Sequence, residues 1–258
     1  MKKKIKGVAG HLLVGSGLFS RFLGDRAIIV AFHRIDDRYP DNPISYTVDG
    51  FRRFCLFFKN HFDVVTLSEL LDDLELGRSI EGKLVITFDD GYRDNYTAAA
   101  PLLLELGLPA TFFIATGFIG TDRVAWWDED CGIRSEWMDW SEVRDLVEMG
   151  FDVGAHTVNH ADLGKVQGDE ARFEIERSRD ELEERLGRRV DLFAFPYGRE
   201  DQLSEENRAM VRRLGLRSAP SCYGGLVRPG DDPYRLKREP ISPWFSGPGD
   251  FVLDVLRR

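Results

Sequence analysis

Cysteine is scarce in this 258-residue chain: Cys55, Cys131 and Cys222 stand far apart and odd in number. That pattern excludes a thiolate zinc cluster and a disulfide framework, leaves room for one bridge at most, and is compatible with a reducing compartment. Long apolar runs are missing too, since none approaches 18 residues, and a spanning helix is not expected. There is no internal repeat and no low-complexity tract. Basic charge is not in excess. The formal net charge of −9 argues against nucleic acid and against an anionic membrane surface, but says nothing against neutral partners such as sugars. Histidine is both rare and lopsided, with five residues and none beyond position 160.

What is present is a soluble globular composition, 43% hydrophobic and 31% charged, rich in phenylalanine. One sizeable core, and so one domain, is the economical expectation for this length. Residues 1–26 read as an N-terminal segment and 27–258 as the folded domain. The segment has a basic start and a mildly apolar middle, interrupted by His11, glycines and Arg21. It lacks a clean apolar region and a small-residue cleavage site. An amphipathic helix over Ile5–Leu23 is expected, either covering the core or making peripheral contact with a membrane.

Strand and helix signals alternate along most of the chain, which predicts parallel strands with helical crossovers. Buried strands are read at Ala27–Phe32, Leu84–Phe88, Ala110–Ala115, Phe151–Ala155 and Asp191–Phe195, with a short one at Phe62–Val65. Helices are expected from Thr47, with Phe51, Phe54, Cys55 and Phe58 on one side, and from Thr66, where Glu69 completes a capping box and Gly77 ends the run. Others start near Thr97, at Asp139 or Ser141, over Ala171–Leu186 and over Leu203–Leu214. Gly117–Trp137 reads as a long irregular aromatic loop. The last forty residues, rich in glycine and proline, show short strand candidates only.

The chain is organised around Lys83–Tyr96. A β-branched strand ends there in two adjacent carboxylates, Asp89 and Asp90, followed by Gly91. Asp–Gly is also a common turn signal. Burying charge is costly unless a metal or a partner compensates it, and neighbouring acids can divide their roles between ligand and base. Downstream, His156 and His160 follow another buried strand. On a helical turn an i,i+4 pair would present both imidazoles on one side, although such pairs are also common on plain surfaces. Adding Asp90 gives three ligands with a position left for water, the pattern of a catalytic zinc site. Asp89 is then placed to act as a base.

TFDDG, HTVNH and FAFPYG, in that order, resemble the polysaccharide deacetylase family, the NodB-homology domain of carbohydrate esterase family 4, from about Ile28 to Arg238. The resemblance implies an α/β fold, a distorted or incomplete (β/α) barrel, and 27–258 as a deacetylase-like catalytic domain. It implies one divalent metal, zinc first and cobalt or nickel as alternatives, on Asp90, His156 and His160. Asp89 becomes the base, and Thr157 steadies the histidine loop. The backbone N–H of Tyr197 helps hold the oxyanion. The implied reaction removes N-acetyl groups from an N-acetylated saccharide of a surface polysaccharide or its precursor. O-deacetylation of a glycan and a catalytically weakened carbohydrate-binding protein are the alternatives.

The match departs from the family pattern in two places. The arginine that normally orients the base is missing at Ala194 or Phe195, and no late histidine is available as general acid. His33, at the end of the first strand, resembles the acid of the poly-N-acetylglucosamine de-N-acetylase subset; a structural role at the strand end is its other reading. Arg34 is expected to pair with a carboxylate. Arg235, Leu236 and Arg238 echo a late Leu-x-Arg segment without an evident purpose. Trp126, Trp127, Trp137, Met138 and Trp140 are read as sugar-stacking or core residues. A cytoplasmic or inner-membrane-surface location is expected ahead of secretion.

Overall fold

The computed structural model describes residue 10 and residues 12–257, so the basic start, Met1–Ala9 and His11, lies outside the described residues. Its centre is a parallel sheet in the order β7-β6-β5-β1-β8, with β4 also paired to β5. The strands are β1 (Ile28–Phe32), β4 (Asp63–Val64), β5 (Lys83–Phe88), β6 (Thr111–Ile114), β7 (Asp152–Ala155) and β8 (Glu239–Pro240). A two-stranded parallel pair, β2 (Arg34–Ile35) with β3 (Ser45–Tyr46), caps the end of β1. Helices cross between the strands, giving the distorted, incomplete (β/α) barrel expected.

All five residues of β1 are buried, as a strand covered on both faces requires. Side chains alternate between two apolar clusters. Ile28, Val30 and Phe32 join the larger one with Leu84, Ile86 and Phe88, whereas Ile29 and Val85 join the smaller one with Phe113 and Leu236. The register pairs Phe32 with Phe88, and their rings stack at 5.6 Å; Phe88 stacks on Phe112 at 4.8 Å. The same register brings the residues after the two strands, His33 and Asp89, to one level at one end of the sheet.

The helix signals hold where a cap supports them. Thr47 accepts from Gly50 N to start Val48–His61. Thr66 and Glu69 form the capping box of Leu67–Glu75, and Asp139 with Glu142 forms that of Trp140–Glu148. Pro101 sits in the first turn of the helix Ala100–Leu106, which is preceded by a π-helical turn, Asn95–Ala99. The helix expected over Ala171–Leu186 starts earlier, at Gly168, and contains a second π-helical turn, Phe173–Arg177.

Four expectations need correction. Asp191–Phe195 is not a regular strand. It meets β7 through one bridge, Ala155 to Phe193, and the chain on its other side through another, Leu192 to Ser218, because its partner beyond is irregular chain. His156 and His160 are not on a helical turn, since Thr157 and His160 both have positive φ. The loop Gly117–Trp137 contains a short helix, Trp126–Glu129. The C-terminal residues include a helix, Pro248–Val255, whose Phe251, Val252 and Val255 enter the core. Within the N-terminal segment, Phe19 and Leu23 also belong to the main core. No helix among the described residues is long and apolar enough to cross a membrane.

Candidate metal centre

The ends of β1, β5 and β7 carry His33, Asp89-Asp90 and His156, and a loop returns His160 beside them. Candidate ligand atoms of Asp90, His156 and His160 all lie within 4.8 Å of one another, and among the described residues this is the one such cluster. His156 Nε2 and His160 Nε2 are 3.5 and 3.3 Å from Asp90 Oδ1. That oxygen is buried and has no hydrogen-bond partner among the described residues. An orphaned carboxylate oxygen facing two imidazole nitrogens fits a divalent cation with mixed nitrogen and oxygen ligands.

The electrostatics agree. Burial pushes the Asp90 carboxyl well above the usual carboxylate range, and the neighbouring Asp89 and Asp128 add to the push. Burial also lowers both histidines, His156 to about 4, against the pull of Asp89, and His160 well below its ordinary value with help from His156 and His33. Both imidazoles are therefore neutral at neutral pH, the form that binds metal. His156 Nδ1 lies 2.9 Å from the carbonyl of Ala194. Donation to that carbonyl leaves Nε2 as the lone-pair nitrogen toward Asp90.

The loops that shape the site hold unusual backbone. Asp90, Thr157, His160 and Tyr197 are the non-glycine residues with positive φ among the described residues. All four lie in the three sequence motifs, and strain collected at one place is characteristic of a functional site. Two glycines are required beside them. A Cβ on Gly91 (φ +94) would meet Ile119 at 2.9 Å, and one on Gly198 (φ +81) would lie 2.2 Å from the Cys222 nitrogen. Thr157 Oγ1 accepts from Ala161 N, and the Glu174 carboxylate, on the second π-helical turn, accepts from Val158 N and Asn159 N.

Asp89 has a different environment from its neighbour. Burial would raise its carboxyl, but the Arg238 guanidinium overrides that and holds it well below the usual range. Arg238 Nη1 and Nη2 donate to the two oxygens of Asp89 at 2.7 Å each, and Nη1 also donates to Thr87 Oγ1 at 3.0 Å. Thr87 and Asp89 are two apart, so they share one face of the chain. His33 Nε2 is 3.9 Å from Asp89 Oδ2, and Asn95 Nδ2 donates to the His33 carbonyl at 2.6 Å. Burial, opposed by Asp89, lowers the His33 pKa.

A cleft of about 420 Å³ opens over these residues and is walled by Trp126, Trp127 and Tyr197, with Asn42–Ile44 on the far side. Trp126 is 57% exposed, whereas Trp137 is buried and stacks on Tyr92 at 4.5 Å. Met138 is fully buried, and Trp140 packs against the core. The tryptophans therefore divide: Trp126 and Trp127 face the cleft, and Trp137 and Trp140 do not.

The family model for polysaccharide deacetylase matches residues 77–219, more than half of the chain. The chain belongs to the polysaccharide deacetylase family. Among curated relatives, YxkH of Bacillus subtilis (strain 168) is 24% identical over 164 residues, covering 64% of this chain and 53% of that protein. The poly-beta-1,6-N-acetyl-D-glucosamine N-deacetylase of Staphylococcus epidermidis is 23% identical over 241 residues, covering 84% of this chain and 79% of that one. The chain thus spans only about half of the first of these relatives. Among solved structures, the Streptococcus pyogenes deacetylase PplD in complex with acetate superposes with a TM-score of 0.74 at 20% identity, covering 88% of this chain and 97% of that one. IcaB from Ammonifex degensii gives a TM-score of 0.69 at 25% identity, covering 85% and 93%.

Within this deacetylase fold, the position of the expected third-motif arginine is taken by Ala194, which supplies a carbonyl to His156. The guanidinium on Asp89 comes instead from Arg238, the residue whose late Leu-x-Arg setting had no evident purpose in the sequence. Two further residues were not foreseen: Asp128, the carboxylate that pairs with Arg34 at 2.8 Å, and Glu174 under the histidine loop. A buried acid inside an aromatic loop was the available hint for Asp128. Glu174 sits in a charge run that reads as a solvated helix face.

Proposed function

We propose that the protein removes N-acetyl groups from an N-acetylated sugar of a surface polysaccharide or its precursor. The observation that carries this reading is the division between adjacent acids. Asp89 is held ionised by Arg238, while Asp90 presents an unpaired buried oxygen to two neutral imidazoles. A protein that only bound sugar would have no use for a buried base gripped in this way. Asp90, His156 and His160 would hold the divalent ion, and their nitrogen and oxygen donors suit zinc first, then cobalt or nickel. When bound, such an ion supplies Lewis-acid polarisation of the acetyl carbonyl and lowers the pKa of a water.

The residues of the chain do the rest. Asp89 Oδ2 faces the site beside His33 and His156 and takes the proton of the attacking water. The Tyr197 backbone N–H, on a turn fixed by its positive φ, donates to the developing oxyanion. His33 Nε2 gives a proton to the leaving amine; burial lowers its pKa, which makes it a stronger acid once protonated, and the Asp89 carboxylate 3.9 Å away offsets part of that lowering. Trp126 and Trp127 exclude water and offer faces on which a pyranose can stack. The volume of the cleft suits a ligand of a few hundred Å³.

The finer assignment, to the poly-N-acetylglucosamine de-N-acetylases, is supported by the names of the staphylococcal relatives and by His33 at the end of β1. We place this activity in residues 27–258, with peripheral membrane contact through the described part of the segment before it. The exposed Leu12 and Leu18 support that placement. Acetate release from metal-replete protein over N-acetylglucosamine oligomers, lipid-linked N-acetyl sugars and O-acetylated glycans tests the reading, with Asp89→Asn beside it. Release from N-acetyl substrates that vanishes in the mutant is expected. Release only from O-acetylated glycans, or none at all, contradicts it.

A further inference from the structure

The two candidate histidine ligands are held in different ways. His156 is oriented by a hydrogen bond from Nδ1 to a backbone carbonyl, whereas His160 Nδ1 is buried with no hydrogen-bond partner on any other described residue. What surrounds the His160 ring is aromatic: Trp127 at 4.6 Å and Tyr197 at 4.6 Å, centroid to centroid. Metal-binding imidazoles normally owe their orientation to a hydrogen-bonded outer partner. Here packing must supply it, and packing orients a ring only if the packing groups are themselves fixed.

Trp127 is fixed by an unusually buried arrangement. Its Nε1 donates to Tyr92 Oη at 2.7 Å, and Tyr92 Oη donates to Asp128 Oδ2 at 3.0 Å. Ser135 Oγ donates to the same oxygen at 2.6 Å, and Arg34 Nη1 donates to Oδ1 at 2.8 Å. Asp128 is fully buried and Arg34 nearly so. Burying an ion pair seldom adds net stability compared with apolar packing, so its use is to specify one arrangement. The neighbouring Trp126 reaches the other wall, donating from Nε1 to Tyr197 Oη at 3.2 Å. The turn Trp126–Asp128 is therefore tied to the chain after β1, after β5 and in the third motif, and it lies over His160.

We infer that Asp128 is a positioning residue: through Tyr92 it locks Trp127 against His160, and this lock stands in for the missing hydrogen bond on that ligand. The inference rests on the metal site proposed above and concerns how firmly His160 is presented to the metal. Asp128→Asn keeps the size of the side chain and removes the charge that Arg34 meets. Trp127→Ala removes the ring, and Trp127→Phe keeps a ring without the indole donor.

The experiment measures zinc affinity of the purified protein by competition with a chromophoric chelator, with melting temperature recorded alongside. Asp128→Asn and Trp127→Ala are expected to weaken zinc binding by about 10-fold or more. Trp127→Phe is expected to fall between them and the parent. If Asp128→Asn does not fold, the Trp127 pair decides the matter. A merely structural role would lower the melting temperature and leave zinc affinity within about 2-fold of the parent, and that result overturns the inference. Zinc binding by the parent with unchanged variants removes this inference alone. Failure of the parent to bind zinc removes the metal site with it.

Discussion

Arg238 and Asp89, 149 residues apart in the chain, meet as a two-pronged pair with both bonds at 2.7 Å, fully enclosed by the barrel. The family pattern places its base-orienting arginine within the third motif, two residues before the Pro-Tyr pair; here the guanidinium arrives from the residue before β8. The chemistry needs a planar, permanently charged fork against the carboxylate, and the fold supplies it from a different point in the sequence.

Arg238→Met tests that relationship. Leaving Asp89 buried without its partner should cost roughly 3–5 kcal/mol of stability. Deacetylation should fall on the order of 10²-fold or more, because the base loses both its orientation and its ionised state. Metal content, set by Asp90, His156 and His160, should stay near that of the parent. Arg238→Lys should recover part of the stability and less of the rate, since an ammonium lacks the fork. Denaturant titration, metal analysis and initial rates separate these effects.

His33→Gln tests the proton donor through the leaving group. On an N-acetyl sugar, loss of a general acid should cost on the order of 10²–10⁴-fold. An activated aryl acetate, whose leaving phenolate needs no proton, should lose far less. Equal losses on the two substrates would assign His33 to the strand end instead of the reaction.

Asp94 gives a pH signature on stability. Burial raises its carboxyl from an ordinary 3.8 to about 6, against the Ile35 N–H and the Arg34 charge, with Asp36 adding to the rise. The folded protein thus keeps this proton up to about pH 6, while the unfolded chain releases it near 3.8. Stability through this group is fully present below 3.8, is lost as pH climbs to about 6, and changes no further above that. The loss amounts to about 3 kcal/mol. Asp94→Asn removes the dependence, so its stability relative to the parent should rise from pH 4 to pH 7.5. Parallel denaturation at the two pH values reads the difference.

Thiol chemistry should single out one cysteine. Cys131 is exposed at the cleft, while burial pushes Cys222 up to about 12 and Cys55 higher still. An aromatic disulfide reagent should label one thiol per native chain rapidly and the others only on unfolding. Mass spectrometry of the labelled peptide should find Cys131, and a bulky adduct there should slow turnover by obstructing the cleft.

How much was legible in the sequence follows from how local each determinant is. Strands β1, β5, β6 and β7, and the caps at Thr47, Thr66 and Asp139, are written within a few residues, and they appear where the pattern places them. The ligand set was legible because each member directly follows a buried strand or shares its loop. His156 and His160 converge for a reason the spacing did not contain: positive φ at Thr157 and His160 bends a loop, where a helical turn was expected. Arg238 meets Asp89 from 149 residues away, and Asp128 meets Tyr92 and Arg34 from 36 and 94 away, so no local pattern marks them. The C-terminal helix was obscured by the surrounding glycine and proline, and Asp191–Phe195 carries strand composition without a regular partner on its outer side.

In the proposed function, adjacent carboxylates hold different offices, Asp89 as base and Asp90 as ligand. The most direct measurement takes Asp89→Asn and Asp90→Asn side by side and records bound metal per chain and acetate released from an N-acetylglucosamine oligomer. Asp89→Asn is expected to retain about one metal and lose turnover, whereas Asp90→Asn should lose both. Loss of metal in Asp89→Asn, or turnover surviving in it, would contradict the account.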